Sequence, residues 1–345
     1  MPRKTLQQCL EEKHILVLDG GISTHLESMQ KDDSFPDRNL WSSSLLLTDD
    51  GKKDIQRAHQ DFLSAGSDVI TTVTYQLSDY VEKFGYSRAK IDTMMSDAVQ
   101  LCKSARDAVN QNAYVVGSIG CYGGALADGS EYTGDYGDMT IDDLMSFHKR
   151  KTEQLISLSV DGVAFETIPS FLEVKAILRL MKEIRDEVKS NDIYVWMSLA
   201  CQNEYLLNDG TAIEDVLHYF NNEDPNASVI NGVGVNCCKL KYVHGLCQAL
   251  TQSILHSRVR RAIILYPNSG EEWDAVNCDW IKDSGCQSSQ TFALKIKKYL
   301  ETIHNMCEER NQDHLPILVG GCCRVKVEDI ASVKIEVDRF VKDKL

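Results

Sequence analysis

The apolar residues of this chain fall into short strand-like runs, separated by longer stretches with the periodicity of helices. The runs are rich in Val and Ile and are nearly free of polar residues, which is typical of parallel strands covered on both faces. Eight such runs occur, at Ile15–Leu18, Asp68–Val73, Tyr114–Ile119, Gly162–Phe165, Ile193–Leu199, Gly232–Val235, Ala262–Leu265 and Leu315–Val319.

Between the runs, apolar residues recur with the period of an amphipathic helix. The stretch Asp54–Ala65, for example, places Ile55, Phe62 and Leu63 on one side. Further helices are predicted at Ile141–Leu158, Phe171–Lys189, Ala212–Phe220, Val243–His256, Ser289–Glu308 and Val327–Val341. Eight strand–helix units over this length favour a closed (β/α)8 TIM barrel over an open doubly wound sheet. We expect residues 1–345 to form this one domain.

Loop lengths indicate which end of the barrel carries the chemistry. The segments that follow strands are long in several units, whereas the segments that precede strands are mostly short. Barrels of this kind keep their active sites at the C-terminal ends of the strands. Polar residues of interest are found at those ends, namely Asp19, Thr74, Tyr75, Glu166, Cys237, Asn268, Cys322 and Cys323.

Composition narrows the classes of partner. A formal net charge of −14 disfavours nucleic-acid binding, which needs clustered Lys and Arg. No apolar stretch approaches the roughly 20 residues of a membrane-spanning helix, and the N-terminus lacks the apolar core of a secretory signal. Twelve cysteines without an export signal predict a reducing compartment, and we therefore expect a cytoplasmic protein whose thiols are mostly buried and inert.

Two cysteine pairs stand out because each follows a strand-like run. Cys322 and Cys323 come after Gly320 and Gly321, and Cys237 comes after the run that ends at Val235. Adjacent residues of a strand point to opposite faces, so Cys322 and Cys323 reach the same metal only if the strand has ended before them. The two glycines permit that turn. The alternative for either pair is a pair of structural thiols.

Three thiolates from two strand ends predict an open zinc site. Such a site leaves the fourth tetrahedral position free, which is typical of catalytic zinc. In the second pair, Cys237 is the predicted ligand and Cys238 is expected to pack behind it. Zinc removes the proton of a coordinated thiol. Three thiolate ligands make the zinc complex negatively charged, so we expect it to activate a thiol substrate for attack on an alkyl group rather than to activate water.

Six segments, in order along the chain, resemble the homocysteine S-methyltransferase family. They are Asp19–Glu27, Ala65–Gln76, Ala125–Tyr136, Phe165–Pro169, Tyr266–Glu271 and Gly320–Arg324. The resemblance implies zinc-dependent transfer of a methyl group from a sulfonium donor to L-homocysteine, which forms methionine. Family members closest in length use S-methylmethionine or S-adenosylmethionine. The betaine-dependent branch is less similar, since it carries an extension beyond the cysteine pair.

The resemblance also assigns roles to individual residues. Zinc would be bound by Cys237, Cys322 and Cys323. Glu166 would hold the amino group of homocysteine. Residues near the substrate would be Asp19, Gly20, Gly21 and Tyr75, although Tyr75 is equally well explained as a packing residue. Glycine turns offer N–H groups to a carboxylate, and a carboxylate at a strand end can pair with an ammonium group.

Four positions depart from the pattern of the family, and two of them bear on the donor. Val73 and Cys121 replace residues next to the expected donor pocket, whereas His25 and Val325 lie elsewhere in the motifs. Aromatic residues of the loops are candidates for a cation–π contact with the sulfonium group or, equally, for packing. They are Tyr132, Tyr136, Trp273 and Trp280.

Other functions remain open from the residues alone. One is a thiol redox protein that uses Cys322 and Cys323 without catalytic zinc, although no Cys-x-x-Cys motif is present. Another is a hydrolase with Asp19 and Glu166 as acid and base, and a third is a binding protein without activity. In the methyltransferase interpretation, the partners are two small molecules, and we expect a monomer or a weak oligomer.

Overall fold

The computed structural model describes residues 3–30, 35–188, 193–257, 259–270, 273–274, 279–280 and 285–345. Eight parallel strands form its central sheet. They are β1 (Ile15–Val17), β2 (Val69–Thr71), β3 (Tyr114–Gly120), β4 (Gly162–Ile168), β5 (Tyr194–Leu199), β6 (Gly232–Asn236), β7 (Ala262–Tyr266) and β8 (Ile317–Val319).

The sheet closes into a barrel. Its strand order is β1-β8-β7-β6-β5-β4-β3-β2, with Ile15 paired to Ile317 where the first strand meets the last. The remaining gap, between β1 and β2, is bridged by a parallel pairing of Leu18 with Val69. The amide of Asp68 also donates to the carbonyl of Val17 at 2.7 Å. The predicted (β/α)8 barrel is confirmed.

Helices surround the sheet. They are α1 (Leu6–Lys13), α2 (Ile22–Met29), α3 (Asp49–Ser64), α4 (Arg88–Val109), α5 (Tyr122–Leu126), α6 (Ile141–Ser157), α7 (Phe171–Val188), α8 (Ile213–Glu223), α9 (Val243–Ser257), α10 (Ser289–Glu309) and α11 (Val327–Lys344). Several begin at a Thr or Ser whose hydroxyl accepts from a first-turn amide, as Thr48 and Thr140 do. None of the helices in the described ranges is long and apolar enough to cross a bilayer.

Two apolar layers position the site. Alternate strand residues such as Ile15 and Val17 pack outward against the helices, whereas Leu16 and Leu18 point into the barrel. The interior is filled by large side chains, including that of Trp196, and helix α1 packs Leu6, Cys9 and Leu10 against the same interior cluster. The barrel is therefore a packed core at that level, and the cavity described below lies at the C-terminal ends of its strands.

The structure corrects several predicted boundaries. The predicted fourth strand ended at Phe165, which placed Glu166 beyond it, but β4 continues to Ile168 and shifts its register against β5 between Phe165 and Ile168. Glu166 therefore lies within the strand, at a bulge. The longest helix, α4, was not predicted, although buried residues such as Ile91, Met94 and Ala98 follow a helical period in it.

Candidate functional site

A cavity opens at the C-terminal ends of the strands. It encloses about 1050 Å³ of space, part of which is open solvent. All of the predicted site residues line it, namely Asp19, Gly20, Gly21, Tyr75, Glu166, Cys237, Cys322 and Cys323. Trp41, Glu131, Thr167 and Asn236 line it as well and were not assigned a role from the sequence.

The three predicted cysteines converge in this cavity. Their Sγ atoms all lie within 4.8 Å of one another, and those of Cys237 and Cys323 are 3.5 Å apart. With zinc–sulfur bonds of about 2.3 Å, a tetrahedral site spaces two thiolates by about 3.8 Å. Among the described residues, these three cysteines form the one group of Cys, His or acidic side chains that has the spacing of a metal site. The cluster is thus suited to hold a metal ion.

The glycines at 320 and 321 allow Cys322 and Cys323 to face the same side. Strand β8 ends at Val319, and a Cβ atom on Gly321 would lie 2.2 Å from Val325 Cγ1. The chain turns so tightly at this point that no side chain would fit. The amide of Cys322 donates to the Pro267 carbonyl at 2.8 Å, and the amide of Cys323 donates to Asn268 Oδ1 at 3.1 Å. The expectation that the strand ends before this pair is confirmed.

Strained backbone accompanies the cysteine cluster. Cys237 follows strand β6 with a φ of 49°, Arg324 follows Cys323 with a φ of 67°, and Thr167 has a φ of 63°. Each such residue costs on the order of 1–3 kcal/mol, and a β-branched residue such as Thr167 is especially unfavourable there. Cys238 is buried behind Cys237, as predicted.

Asn236 links these strained elements to the cysteines. Its Oδ1 atom accepts from the Thr167 amide at 2.7 Å, and its Nδ2 atom donates to Thr167 Oγ1 at 2.9 Å. The same Nδ2 atom lies 3.9 Å from Cys322 Sγ, within donor reach of sulfur. Since Asn236 is almost fully buried, these contacts are shielded from water. The side chain therefore holds Thr167 and orients Cys322.

Replacing Asn236 by alanine is expected to weaken metal binding by about 10- to 100-fold, because a hydrogen bond that orients a metal ligand is lost. Stability should also fall by about 1–3 kcal/mol, since buried partners lose their hydrogen bonds. Competition with a chromophoric chelator and thermal unfolding of the metal-free protein measure the two effects.

The matched control for this prediction is Asn221→Ala. Asn221 is a helix α8 residue whose amide contacts Ser253 and Arg261, and it does not line the cavity. It should lower stability and leave metal affinity unchanged. Equal metal affinity in Asn236→Ala and the wild type would contradict the role given to Asn236.

Hydrogen bonds within the cluster shift the pKa values of its thiols in opposite directions. Donation from the thiols of Cys237 and Cys322 lowers the pKa of the Cys323 thiol well below its ordinary value. In contrast, hydrogen bonding to Cys322 is the main cause that raises the pKa of Cys237. Within the cluster, the thiolate form is therefore favoured more at Cys323 than at Cys237.

Two buried carboxylates lie in the same cavity. Burial raises the pKa of Glu166 to about 7, against a hydrogen bond that it accepts from the hydroxyl of Ser118. Burial raises the pKa of Asp19 to about 8, although the Thr71 amide donates to its Oδ2 atom at 2.7 Å. A nearby cation would favour the ionised form of either group. These side chains are therefore well placed for an ammonium group.

Glu166 points into the barrel in phase with Ala164, and the bulge in β4 explains how Thr167 reaches the cavity as well. In a regular strand, Glu166 and Thr167 would point to opposite faces of the sheet. Both line the cavity, because the register shift and the positive φ of Thr167 re-aim the chain. The alternating pattern of the strand contains no sign of this irregularity.

The backbone at Gly20 and Gly21 differs in part from expectation. The amide of Gly21 donates to the carbonyl of Val325 at 2.8 Å. Its predicted role as a donor to a substrate carboxylate therefore does not fit the structure. A Cβ atom on Gly21 would lie 2.6 Å from the carbonyl oxygen of Cys322, so glycine is needed for the close approach of the first turn to the cysteine turn.

The four departures from the family pattern occupy different environments. Val73 lines the cavity. Cys121 is buried and its Sγ atom lies 3.6 Å from Tyr75 Oη, so it supports a cavity residue from behind. His25 contacts Asp61 at 2.9 Å and Val325 is fully buried. Of the four, Val73 is the residue that lines the cavity.

The aromatic residues considered for a cation–π contact also differ in their locations. Tyr132 lines the cavity and is largely exposed. Tyr136 instead donates its hydroxyl to Glu173 at 2.7 Å, which makes it a packing and hydrogen-bonding residue of the loop. Trp273 and Trp280 belong to a two-residue antiparallel pairing, and their side chains lie outside the described part of the structure, as does Glu271.

Comparison with known proteins decides the family. The model of the family described as homocysteine S-methyltransferase matches residues 16–337. The chain belongs to the homocysteine S-methyltransferase family. Among relatives of this family, homocysteine S-methyltransferase 1 of Zea mays is 32% identical, with 92% of each chain covered. Homocysteine S-methyltransferase YbgG of Bacillus subtilis is 30% identical and covers 95% of this chain and 96% of its own.

A solved structure of the family agrees. The homocysteine methyltransferase MmuM from Escherichia coli, in its metallated form, is 27% identical with a TM-score of 0.74. The match covers 96% of this chain and 99% of that one. The predicted family and the assignment as a methyltransferase are confirmed, and the enzyme acts in methyl transfer to homocysteine. The comparisons lend no support to the redox, hydrolase and binding-protein alternatives.

Proposed function

We propose that this enzyme binds one zinc ion through Cys237, Cys322 and Cys323 and transfers a methyl group to L-homocysteine from a sulfonium donor, S-methylmethionine or S-adenosylmethionine. The observation that carries the proposal is the convergence of three thiols with two buried carboxylates in one cavity. The metallated form of the related enzyme from Escherichia coli adds support.

The three cysteine ligands suit this chemistry. Zinc bound to three thiolates would supply an open position at which a substrate thiol loses its proton and stays nucleophilic. Cys323 contributes a thiol whose pKa is already lowered by its neighbours. Asn236 keeps Cys322 oriented by its contact with Sγ, so the protein side chains are arranged before substrate arrives.

The reaction itself is a displacement at carbon. The thiolate sulfur of homocysteine forms a bond to the methyl carbon of the donor, and the bond between that carbon and the sulfonium sulfur breaks. The bonding electron pair stays on the donor sulfur, which becomes a neutral thioether, and the thiol proton of homocysteine passes to solvent. Since no group must remove a proton during transfer, the enzyme acts chiefly by positioning the two substrates.

Glu166 and Asp19 would position homocysteine. A substrate ammonium beside these carboxylates lowers their raised pKa values and pairs with the resulting negative charge. Ser118 and Thr71 hold the two carboxylates by hydrogen bonds, so neither must reorganise on binding. Tyr75 lines the same space, and its ring packs against Gly120 and Gly124. It would shape the cavity wall next to the substrate.

The charge of the cavity favours a cationic donor. Among its described lining residues, Asp19, Glu131 and Glu166 are acidic, the three thiols are potential anions, and Lys, Arg and His are absent. A cavity lined by one sign of charge attracts ligands of the opposite sign. A sulfonium compound meets that condition. The cytoplasmic location and the monomeric or weakly oligomeric state stay predictions.

The proposed function is tested by comparing three methyl donors with homocysteine as acceptor. We expect methionine formation with S-methylmethionine or S-adenosylmethionine and little with betaine, together with one zinc per chain by elemental analysis. Liquid chromatography with mass spectrometry detects methionine directly. Full activity of the metal-free protein, or activity with betaine alone, would refute the proposal. The first of these results would show that the thiols act without a metal.

A further inference from the structure

Glu131 is a cavity residue to which the reaction described above gives no task. It lies in the 3₁₀ turn Ser130–Tyr132, in the loop that follows strand β3, away from the strands that carry Asp19 and Glu166. Its side chain lines the same cavity as Cys237 and Cys323.

The carboxylate of Glu131 has an unused acceptor. Its Oε2 atom is shielded from solvent and has no hydrogen-bond partner among the described residues. The rest of the carboxylate accepts backbone hydrogen bonds from Gly129 and from its own amide, whereas Asp19 is held by Thr71 and Glu166 by Ser118. A buried polar atom without a protein partner is costly and rare in folded proteins, and it can mark the place where a ligand, an ion or a water molecule binds.

The charge state of this carboxylate depends on what lies beside it. Burial raises the pKa of Glu131 above its ordinary value, and the neighbouring charge of Asp128 acts in the same direction. A cation in the cavity would reverse both effects by stabilising the ionised form. The cavity wall supplies no such cation, since none of its described lining residues is Lys, Arg or His.

The surrounding structure holds Glu131 in place. Asn208 donates from Nδ2 to the Glu131 carbonyl at 2.8 Å, which ties the turn to the loop after β5. A Cβ atom on Gly123 would lie 2.5 Å from the Glu131 amide nitrogen, so helix α5 packs directly on the turn. The backbone of the turn is therefore held from two sides, which limits how far Glu131 moves when a ligand binds.

Aromatic residues line the same cavity as Glu131. Trp41 and Tyr132 line the same cavity and are partly exposed in it. Aromatic faces attract a cation, so they suit a sulfonium centre as well as an ammonium group. A carboxylate together with aromatic rings is a recognition site for a small organic cation.

We propose that Glu131 is the counter-charge for the cationic methyl donor and contributes to the affinity of the cavity for it. Homocysteine is then held by Asp19 and Glu166, and the donor by Glu131, with the thiol cluster in the same cavity as both. This inference rests on the proposed function, because it names the residue that would bind the methyl donor of that reaction.

The test replaces Glu131 by glutamine, which keeps the shape of the side chain and removes its charge. We expect the Kd and KM of S-methylmethionine to rise by about 10- to 100-fold, because the charge that attracts the cationic donor is lost. The KM of homocysteine and the zinc content should stay within about twofold of wild type. Titration calorimetry with S-methylmethionine in the absence of homocysteine gives a readout that does not depend on turnover.

Two further variants sharpen the test. Glu131→Asp keeps the charge and should recover part of the donor affinity. Asp138→Asn removes an equal charge from an exposed position of the same loop and should leave donor affinity unchanged. Unchanged donor affinity in Glu131→Gln, or equal weakening of donor and homocysteine, overturns the inference while methyl transfer by the wild type still stands. Absence of methyl transfer in the wild type refutes the proposed function instead.

Discussion

Replacing Cys322 by alanine is expected to abolish metal retention and to lower the rate of methyl transfer by a factor on the order of 10³ or more. The variant keeps two of the three thiols, which cannot hold zinc in an open site that needs three protein ligands. The free homocysteine thiol, with a pKa near 8.5, would then be mostly protonated at neutral pH. Elemental analysis of the purified variant and a methionine assay measure the two effects.

The matched control for this prediction is Cys238→Ala. Cys238 follows Cys237 directly, is buried, and does not line the cavity, so its removal costs a packing contact without touching the cluster. It should keep the metal and most of the activity. A Cys322→Ala variant that transfers methyl groups at the wild-type rate would show that the cluster has no part in the reaction.

The second large effect is expected at Glu166. Replacement by glutamine keeps the shape and the neighbouring Ser118 but removes the charge that would pair with the ammonium group of homocysteine. Loss of one partner of a buried charge pair costs about 2–5 kcal/mol, and we expect the KM of homocysteine to rise by about 100-fold. Steady-state kinetics with varied homocysteine at saturating donor measure this change.

The donor serves as an internal control for Glu166→Gln. If Glu166 acts on homocysteine alone, the KM of the sulfonium donor and the zinc content should both stay near wild-type values. An unchanged KM for homocysteine would remove the role assigned to Glu166. A parallel rise in both KM values would instead indicate a general disturbance of the cavity, because the two substrates are expected to contact different carboxylates.

The fold was predictable in its main features because its strands are covered on both faces. Buried parallel strands need near-continuous apolar residues, so each of the eight runs marks a strand, even where the ends differ by a few residues. Helix α4 (Arg88–Val109) was not predicted, although its apolar period is present in the sequence. Its buried positions are filled largely by Ala, Met and Cys, which mark an apolar stripe less clearly than Leu and Ile do.

The site was predictable where residue type alone carries the chemistry. Cys237, Cys322 and Cys323 follow strands at the same end of the barrel, and the glycines before Cys322 indicate a turn that allows two adjacent thiols to face one point. Glu131 and Asn236 were not assigned, because a glutamate in an acidic loop and an asparagine beside a cysteine are common in proteins without any role in a site. Their burial and their partners distinguish them.

The sequence by itself determined the barrel, the end that carries the site and the three thiols, since these depend on local pattern and on the order of elements along the chain. The tertiary structure decided which side chains share the cavity. The bulge in β4 and the left-handed backbone of Thr167 and Cys237 turn those two residues toward the cavity, against the direction that a regular strand would give. Such strain persists because contacts from distant segments, here through Asn236, hold it, and a local pattern cannot record them.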